Sequence, residues 1–362
     1  MSEIDPIYQE LAARMRNPHS KTLPKILQRL TTLEQARMIR EMPALPEEIA
    51  RKLGLEQETV NKNIRELFEN GVIVHGKSGW NLTANWGFMH DTVGSSESKY
   101  DDDVFFDLSM VMMDEYLEFL GKRLRESEEP TIRQAQRVVP DWKAIKDIPG
   151  ILPYEDTREA VRNASPIVLI NCACKRLYRN RKCKDDIPLK VCLTAGRVAR
   201  YNLERNIGRE VSYDEYLEIQ DKATSYGLVH LFPNNSSMPE SLCNCHSCCC
   251  GQFLISAYTK PNFNLFSIAK SRFVAEVDPE KCTGCRKCAD VRCPVGAAQM
   301  KYYPEYGEER AFIDAEECIG CGLCVLTCPS EARKMKLVRP PEHIPARDDI
   351  DLSEFFGVDL NI

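Results

Sequence analysis

The sequence predicts an α+β protein with more than one folding unit, and three observations lead to this prediction. The chain has 362 residues, which is more than usually fold around a single hydrophobic core. Residues 24–90 combine helical periodicity with a short hairpin pattern. All 17 cysteines lie within residues 172–328, and the last eight of them form an internal repeat.

Charge and hydropathy exclude several classes of protein. Lys and Arg number 48 against 54 Asp and Glu, so bulk charge does not indicate a nucleic-acid or anionic-membrane partner. No apolar stretch approaches the roughly 20 residues that span a bilayer, and the N-terminus has no signal-peptide hydrophobic region. We expect a soluble, cytoplasmic protein without membrane insertion, in which clustered cysteines are metal ligands or redox thiols.

The first predicted domain covers residues 24–90. Pro46 suits the start of a helix, Gly54 interrupts the pattern, and Gly71 suits the end of the next helix. Residues 72–82 then read as strand, turn and strand. This order resembles a winged helix-turn-helix domain.

A winged helix raises the question of DNA binding. The candidate recognition helix, residues 56–70, offers Gln57, Asn61 and Arg65 to bases and phosphates. The same helix also carries four glutamates, which repel phosphates. DNA therefore stays a possible partner that is not favoured, and a docking or dimerisation role is at least as well supported.

The middle of the chain divides into two predicted regions. Residues 91–165 read as a linker and a helical region, with a long helix at 103–125 and a second helix at 154–164. Residues 166–270 read as a cysteine-rich domain of mixed structure, in which a buried strand at 166–170 leads to the first cysteine pair.

The cysteine repeat has a specific spacing. Its two copies are Cys282-x2-Cys285-x2-Cys288-x4-Cys293-Pro294 and Cys318-x2-Cys321-x2-Cys324-x3-Cys328-Pro329. Zinc sites usually take four ligands as two pairs, whereas a cuboidal iron–sulfur cluster takes three thiolates from one tight loop and a fourth from elsewhere. The spacing favours two clusters over zinc.

Residues 275–338 thus resemble a two-cluster [4Fe–4S] bacterial ferredoxin, since the second copy has the spacing of that family. The resemblance implies that each cluster borrows its fourth ligand from the other half. One cluster would use Cys282, Cys285, Cys288 and Cys328, and the other Cys318, Cys321, Cys324 and Cys293. The first copy departs from the family by one additional residue before Cys293. The segment 339–362 reads as an extended tail.

Nine further cysteines have no familiar spacing: Cys172, Cys174, Cys183, Cys192, Cys243, Cys245, Cys248, Cys249 and Cys250. Thiols at this density repel one another or oxidise unless a metal or a redox cycle uses them. Three alternatives stay open: a further iron–sulfur cluster, structural zinc, or a dithiol/disulfide site. His230 and His246 are either additional ligands or ordinary hydrogen-bonded polar residues.

The segment 166–338 also resembles larger ferredoxin-like 4Fe-4S proteins of anaerobic bacteria and archaea. The motifs that carry this resemblance are Cys172-Ala-Cys174-Lys175, Gly208-Arg209-Glu-Val211-Ser212, Gly227-Leu-Val-His230 and Cys243-Asn-Cys245-His246-Ser-Cys248-Cys249-Cys250. The resemblance implies additional iron–sulfur centres without assigning ligands. Lys175 stands where the family has Arg, and His246 where it has Cys.

These features favour an electron-transfer protein or subunit that passes electrons through two [4Fe–4S] clusters to a partner oxidoreductase in anaerobic metabolism. The alternative is a redox-responsive iron–sulfur transcriptional regulator that binds DNA through the winged helix. A third hypothesis is an enzyme in which the central cysteines reduce a small molecule or a disulfide. The sequence offers that enzyme no identifiable substrate residues.

Overall fold

A computed structural model describes residues 4–76, 78–96, 102–178 and 187–346. Its mixture of helices and strands confirms the α+β class. The chain begins with three short helices, α1 (Pro6–Arg14), α2 (Leu23–Leu30) and α3 (Leu33–Arg40). Side chains satisfy the free N–H groups at two of their starts, since Asp5 accepts from Ile7 and Thr32 forms a capping box with Gln35.

Two further helices and a hairpin follow in the order that the sequence predicts. Helices α4 (Pro46–Leu53) and α5 (Gln57–Glu69) precede an antiparallel hairpin of β1 (Ile73–Gly76) and β2 (Gly79–Leu82). Gly54 ends α4 in the left-handed region at φ +65°, where a side chain would be strained. The order of helices and hairpin fits a winged helix, and assignment to that class stays a prediction.

The next segment is more helical than its composition indicates. Helix α6 (Trp86–Ser95) occupies the beginning of the expected linker, because Trp86, Phe88 and Met89 bury their side chains in the N-terminal core. Helix α7 (Asp103–Arg125) confirms the predicted long helix at both ends, and Asp102 caps it by accepting from the Phe105 N–H.

A seven-stranded sheet forms the centre of the molecule. Its strands and associated helices are β3 (Gln136–Val139), α8 (Trp142–Ile145), β4 (Ile167–Asn171), α9 (Ala173–Leu177), β5 (Lys190–Ala195), α10 (Gly196–Glu204), β6 (Arg209–Glu210), α11 (Tyr213–Ser225), β7 (Val229–Pro233), β8 (Ser241–Cys245), α12 (Gly251–Phe263) and β9 (Ile268–Ala269). The strand order is β6-β4-β5-β8-β7-β3-β9, and only the β3–β9 pair is parallel. The sheet thus takes β3 from upstream of the predicted cysteine-rich segment.

The predicted helix at 154–164 is wrong. Only two single turns of 3-10 helix form there, at Pro153–Glu155 and Glu159–Val161. Distant side chains take the carbonyl groups that a helix would use, since Arg137 donates to Tyr154 O at 2.7 Å and the Tyr216 hydroxyl donates to Thr157 O at 2.7 Å.

The cysteine repeat folds as two antiparallel strand pairs. Strand β10 (Phe273–Val277) pairs with the last strand, β13 (Arg333–Leu337), whereas β11 (Ala298–Tyr303) pairs with β12 (Glu308–Ile313). A short helix, α13 (Leu323–Leu326), lies between β12 and β13. Beyond β13, the tail is described only to residue 346, and residues 347–362 lie outside the described part of the chain.

Buried arginines join the N-terminal helices to the central sheet. Arg205, at the end of α10, donates to Phe68 O, Glu69 O and Thr92 O at 2.9–3.1 Å. Arg176 of α9 donates to carbonyls at the end of α6, including Gly94 O at 3.1 Å. Both guanidinium groups satisfy helix C-termini that have no intrahelical donor left. Among the helices in the described ranges, none combines the length and apolar character that crossing a bilayer demands.

We predict that Arg205→Met lowers the free energy of unfolding by about 3 kcal/mol, because three buried carbonyls lose a charged donor. Urea unfolding followed by circular dichroism measures this loss. The matched control is Arg200→Met on the same helix, whose side chain is exposed and makes one 3.2 Å bond to Ser165 O. Equal unfolding midpoints for the two variants would contradict the prediction.

Candidate metal centres

The first half of the repeat places four cysteines around one loop. Cys282, Cys285 and Cys288 follow β10, and Cys293 stands five residues before β11 begins. Cys288 is buried, Cys285 is exposed, and the other two are half-buried. Backbone amides point at two of the sulfurs, because the Ala311 N–H lies 3.4 Å from Cys282 Sγ and the Ala298 N–H lies 3.3 Å from Cys293 Sγ.

The additional residue of the first copy is absorbed as one turn of π-helix, Lys287–Arg292. The Cys293 N–H donates to Cys288 O at 3.0 Å, five residues back, so the additional residue widens this single turn. The wider turn also carries Arg292 outward, where it donates to Ser225 O of α11 at 2.9 Å. The departure from the family spacing is therefore local.

The second half brings its cysteines together with one from the first. Burial raises the pKa of the Cys321 thiol well above its usual value, and the neighbouring Cys324, Cys318 and Cys293 raise it further. Burial likewise raises the pKa of Cys324 to about 12. Cys321 and Cys324 thus resist ionisation alone, and binding of a cationic metal cluster would displace their protons.

Two equivalent hydrogen bonds connect the halves. The Asp278 N–H donates to Ala332 O and the Asp314 N–H donates to Ala297 O, each at 2.8 Å. The first bond holds the loop after Cys328 against the segment that leads to Cys282. The second holds the loop after Cys293 against the segment that leads to Cys318. The segment after each Cys-Pro pair is thus tied to the half of the repeat that does not contain that pair.

The central cysteines meet because their strands are neighbours in the sheet. Cys172 follows β4, Cys192 lies in β5, and Cys243 and Cys245 lie in β8. The order β4-β5-β8 sets these strands side by side. The register that pairs Leu193 with Leu242 places Cys192 across from Cys243.

Six thiols form a continuous series in which each interacts with its neighbour, and we call this series the central thiol cluster. Its members, in order of contact, are Cys172, Cys192, Cys243, Cys245, Cys250 and Cys174. Hydrogen bonds from neighbouring thiols lower the pKa of Cys243 and Cys250, because these two sulfurs accept from both sides. The same bonds raise the pKa of the donors Cys174, Cys192 and Cys245.

Of the remaining predicted central ligands, Cys248 and Cys249 lie in the turn before α12, and Cys183 lies outside the residues that the structure describes. Cys249 is buried, Cys248 is half-buried, and the Cys248 N–H donates to His246 Nδ1 at 3.2 Å. Cys183 belongs to residues 179–186, outside the described residues. Within the described ranges, no three His, Cys, Asp or Glu side chains are spaced to hold one single metal ion.

The donors present fit iron–sulfur clusters in both places. Thiolates are the ligands of such clusters, and amide N–H groups aimed at the sulfurs stabilise their negative charge. At the central thiol cluster, the Gly251 N–H at the start of α12 points at Cys174 Sγ from 3.3 Å. In the repeat, the Arg333 Nη1 is buried without an acceptor among the described residues, as expected for a donor to a cluster.

Sequence comparison bears on the repeat. Residues 281–332 match the family of 4Fe-4S dicluster domains. An uncharacterized ferredoxin of Methanocaldococcus jannaschii is 42% identical over 64 residues, which is 79% of that protein and 18% of this chain. The chain belongs to the ferredoxin family. Residues 275–338 are called the ferredoxin module below.

Two larger relatives share only a part of their length with this ferredoxin. One subunit of a ferredoxin:CoB-CoM heterodisulfide reductase from Methanosarcina mazei is 39% identical over 82 residues, 19% of this chain and 10% of the relative. One subunit of an ion-translocating oxidoreductase complex from Methanosarcina acetivorans is 37% identical over 67 residues, 18% of this chain and 23% of the relative. No solved structure matches the chain.

The ferredoxin module and the central thiol cluster share one hydrophobic core. Cys245 and Cys250 pack in it with Ile319 and Leu323 of the module, and Cys321 borders it. The Asp141 N–H donates to Cys321 O at 3.3 Å, which ties the segment before α8 to the module. The two groups of thiols therefore lie on either side of a continuous packed interior.

A buried polar network includes Asp141, in the segment before α8. His230 Nδ1 lies 2.6 Å from Asn244 Oδ1, between Cys243 and Cys245 in sequence, and its Nε2 lies 3.0 Å from the Thr224 hydroxyl. Thr224 donates to Asp141 Oδ2 at 2.6 Å. Burial opposes ionisation of Asp141, but the His230 ring, whose Nε2 lies 3.8 Å from Asp141 Oδ2, and hydrogen bonds from Thr224 and the Lys143 N–H lower its pKa. His230 is thus a hydrogen-bonded core residue, the second of the two alternatives predicted for it.

Sequence reasoning missed Arg333 and this network. The network joins residues from four distant segments, and spacing carries no signal of such contacts. Arg333 had a signal, since it differs from its counterpart in the other copy of the repeat.

We predict that Thr224→Val lowers the free energy of unfolding by about 1–3 kcal/mol, because Asp141 loses a hydroxyl donor without a change in side-chain shape. Urea unfolding of the cluster-loaded protein measures this change. Ser225→Ala is the control on the same helix, since its exposed hydroxyl donates only to Lys222 O. A loss no larger than that of the control would show that the network does not stabilise the fold.

Proposed function

We propose that this ferredoxin is an electron-transfer protein or subunit that passes electrons to a partner oxidoreductase in anaerobic metabolism. When bound, each [4Fe–4S] cluster supplies one-electron transfer. The observation that carries the proposal is the match of residues 281–332 to the 4Fe-4S dicluster domain, a segment that contains all eight cysteines of the repeat. The names of the larger relatives, both subunits of oxidoreductases, support a role within a complex.

We assign one cluster to Cys282, Cys285, Cys288 and Cys328. The other is assigned to Cys318, Cys321, Cys324 and Cys293. The thiols of the second set influence one another electrostatically, which supports their grouping. The bond from Asp278 to Ala332 supports the first set, because it keeps the Cys328 loop beside the loop of Cys282.

The central thiol cluster is proposed to hold a further iron–sulfur cluster rather than zinc. Zinc takes four ligands at about 2.3 Å, whereas a series of six neighbouring thiols offers more donors than one such ion needs. The core shared with Cys321 supports a place for this centre in the electron path. Structural zinc and a dithiol/disulfide site stay as the alternatives.

DNA binding receives less support than electron transfer. The exposed face of α5 with Asn61 and Arg65 opens onto a cleft of about 600 Å³ that it shares with Tyr201 and Glu204 of α10. A DNA backbone approaching this face would meet the carboxylate of Glu204, which repels phosphate. The proposal also includes a cytoplasmic location, and it names the partner only as an oxidoreductase.

Iron, acid-labile sulfide and zinc content of protein purified without oxygen tests the proposal. We expect about twelve iron and twelve sulfide, of which about eight belong to the module. Cys192→Ser should remove only the iron beyond eight, and Cys285→Ser only iron of the module. Loss of zinc instead of iron in Cys192→Ser would make the central site structural. Fewer than about four iron in the unaltered protein would overturn the function itself.

The crossed ligand assignment has its own test in EPR spectra of the dithionite-reduced protein. Cys293→Ser should alter the same signal as Cys318→Ser, and Cys328→Ser the same signal as Cys282→Ser, because each pair serves one cluster. If Cys293→Ser instead changes the signal that Cys282→Ser changes, each half of the module binds its own cluster.

A further inference from the structure

The two copies of the repeat differ at one buried position. After the fourth cysteine, the copies read Cys293-Pro-Val-Gly-Ala-Ala298 and Cys328-Pro-Ser-Glu-Ala-Arg333. Ala298 begins β11 and Arg333 begins β13, so the two residues occupy equivalent places. Both are buried, with exposed fractions of 4% and 6%. One copy thus has a methyl group where the other has a guanidinium.

The guanidinium of Arg333 acts on thiols of both halves. Its Nη2 donates to Cys288 Sγ at 2.8 Å. Burial raises the pKa of Cys324, and the nearby Arg333 guanidinium acts in the opposite direction. Cys288 belongs to the first copy of the repeat and Cys324 to the second. A single cation therefore lies between the two proposed sets of ligands.

In the part of the chain that the structure describes, no carboxylate neutralises this cation. Among the described residues, none of the Asp and Glu oxygens lies within 4.0 Å of the Arg333 guanidinium, and its Nη1 is buried without an acceptor. An arginine stays charged even when buried, and an unpaired buried charge is costly. Sulfur atoms that carry negative charge are the acceptors that complete its hydrogen bonds.

We propose that Arg333 is a shared buried cation that raises the reduction potentials of both clusters of the ferredoxin module. The inference rests on the proposed function, since it requires bound clusters. One-electron reduction adds a negative charge to a cluster, and a nearby cation in a medium of low dielectric constant favours the reduced form. Arg333 is thus a positioning and tuning residue, and Ala298 leaves the equivalent place uncharged.

Redox titration followed by EPR tests this on the full chain purified without oxygen. Arg333→Met and Arg333→Gln remove the charge, and Arg333→Lys keeps it. We expect each neutral variant to shift the equilibrium of at least one cluster tenfold toward the oxidised form, which is about 59 mV for one electron. Arg333→Lys should recover most of this shift. The matched control is Lys334→Gln, since Lys334 is the next residue on β13 and its side chain is 77% exposed.

Iron content separates failure of the inference from failure of the function. Neutral variants with full iron and unchanged potentials, or with shifts no larger than that of Lys334→Gln, overturn the role of Arg333 and leave the function intact. If the neutral variants lose iron and Arg333→Lys retains it, the charge itself is required by the clusters, which supports the proposal. Loss of iron in all three variants would overturn it, because the shape of arginine and not its charge would then matter. Unaltered protein without iron would refute the function.

Discussion

The pairing of β10 with β13 is the constraint on which the ferredoxin module depends. These strands enclose the whole repeat, and their register, Val277 opposite Arg333, carries the chain directly into the bond between Asp278 and Ala332. The equivalent bond between Asp314 and Ala297 closes the other side. Because each bond joins one half to the other, the position of each Cys-Pro segment depends on both halves. The module is therefore one cooperative unit, and its two metal sites are expected to form together.

The central sheet packs against this module. Its neighbouring strands β4, β5 and β8 bring the central thiols together. The hydrophobic core around these thiols continues into the module through Ile319 and Leu323. Four of the polar side chains inside it are paired, since His230, Thr224, Asp141 and Asn244 form one hydrogen-bonded series. Such a network stabilises one arrangement of strands over others, because a shifted register would leave buried donors and acceptors unpaired.

The parts of the structure that were predictable are those whose cause is local. The N-cap residue Asp102 and the basic residues of the last turn mark the two ends of α7. The cysteine spacing of the repeat identifies the ferredoxin module. The central thiol cluster was recognisable only as a dense group of cysteines, because its contacts depend on the non-local pairing of three strands. The helix expected at 154–164 fails for the same reason. Its carbonyls accept from Arg137 and Tyr216, which are far away in sequence.

Buried arginines show how this fold uses charge. Arg137, Arg176 and Arg205 donate to backbone carbonyls, and Arg272 pairs with the buried Glu155 at 2.7 Å. Each of these four joins segments that are distant in the chain, so structure alone accounts for its burial. Arg333 differs, because the acceptor of its Nη2 is a cysteine sulfur and not a backbone carbonyl or a carboxylate. Its Nη1 has no acceptor among the described residues, which is also true of Arg137 Nη1 and Arg205 Nη1. Of these five arginines, it is the one whose hydrogen bonds depend on thiols, and therefore the one that negative charge on bound clusters would complete.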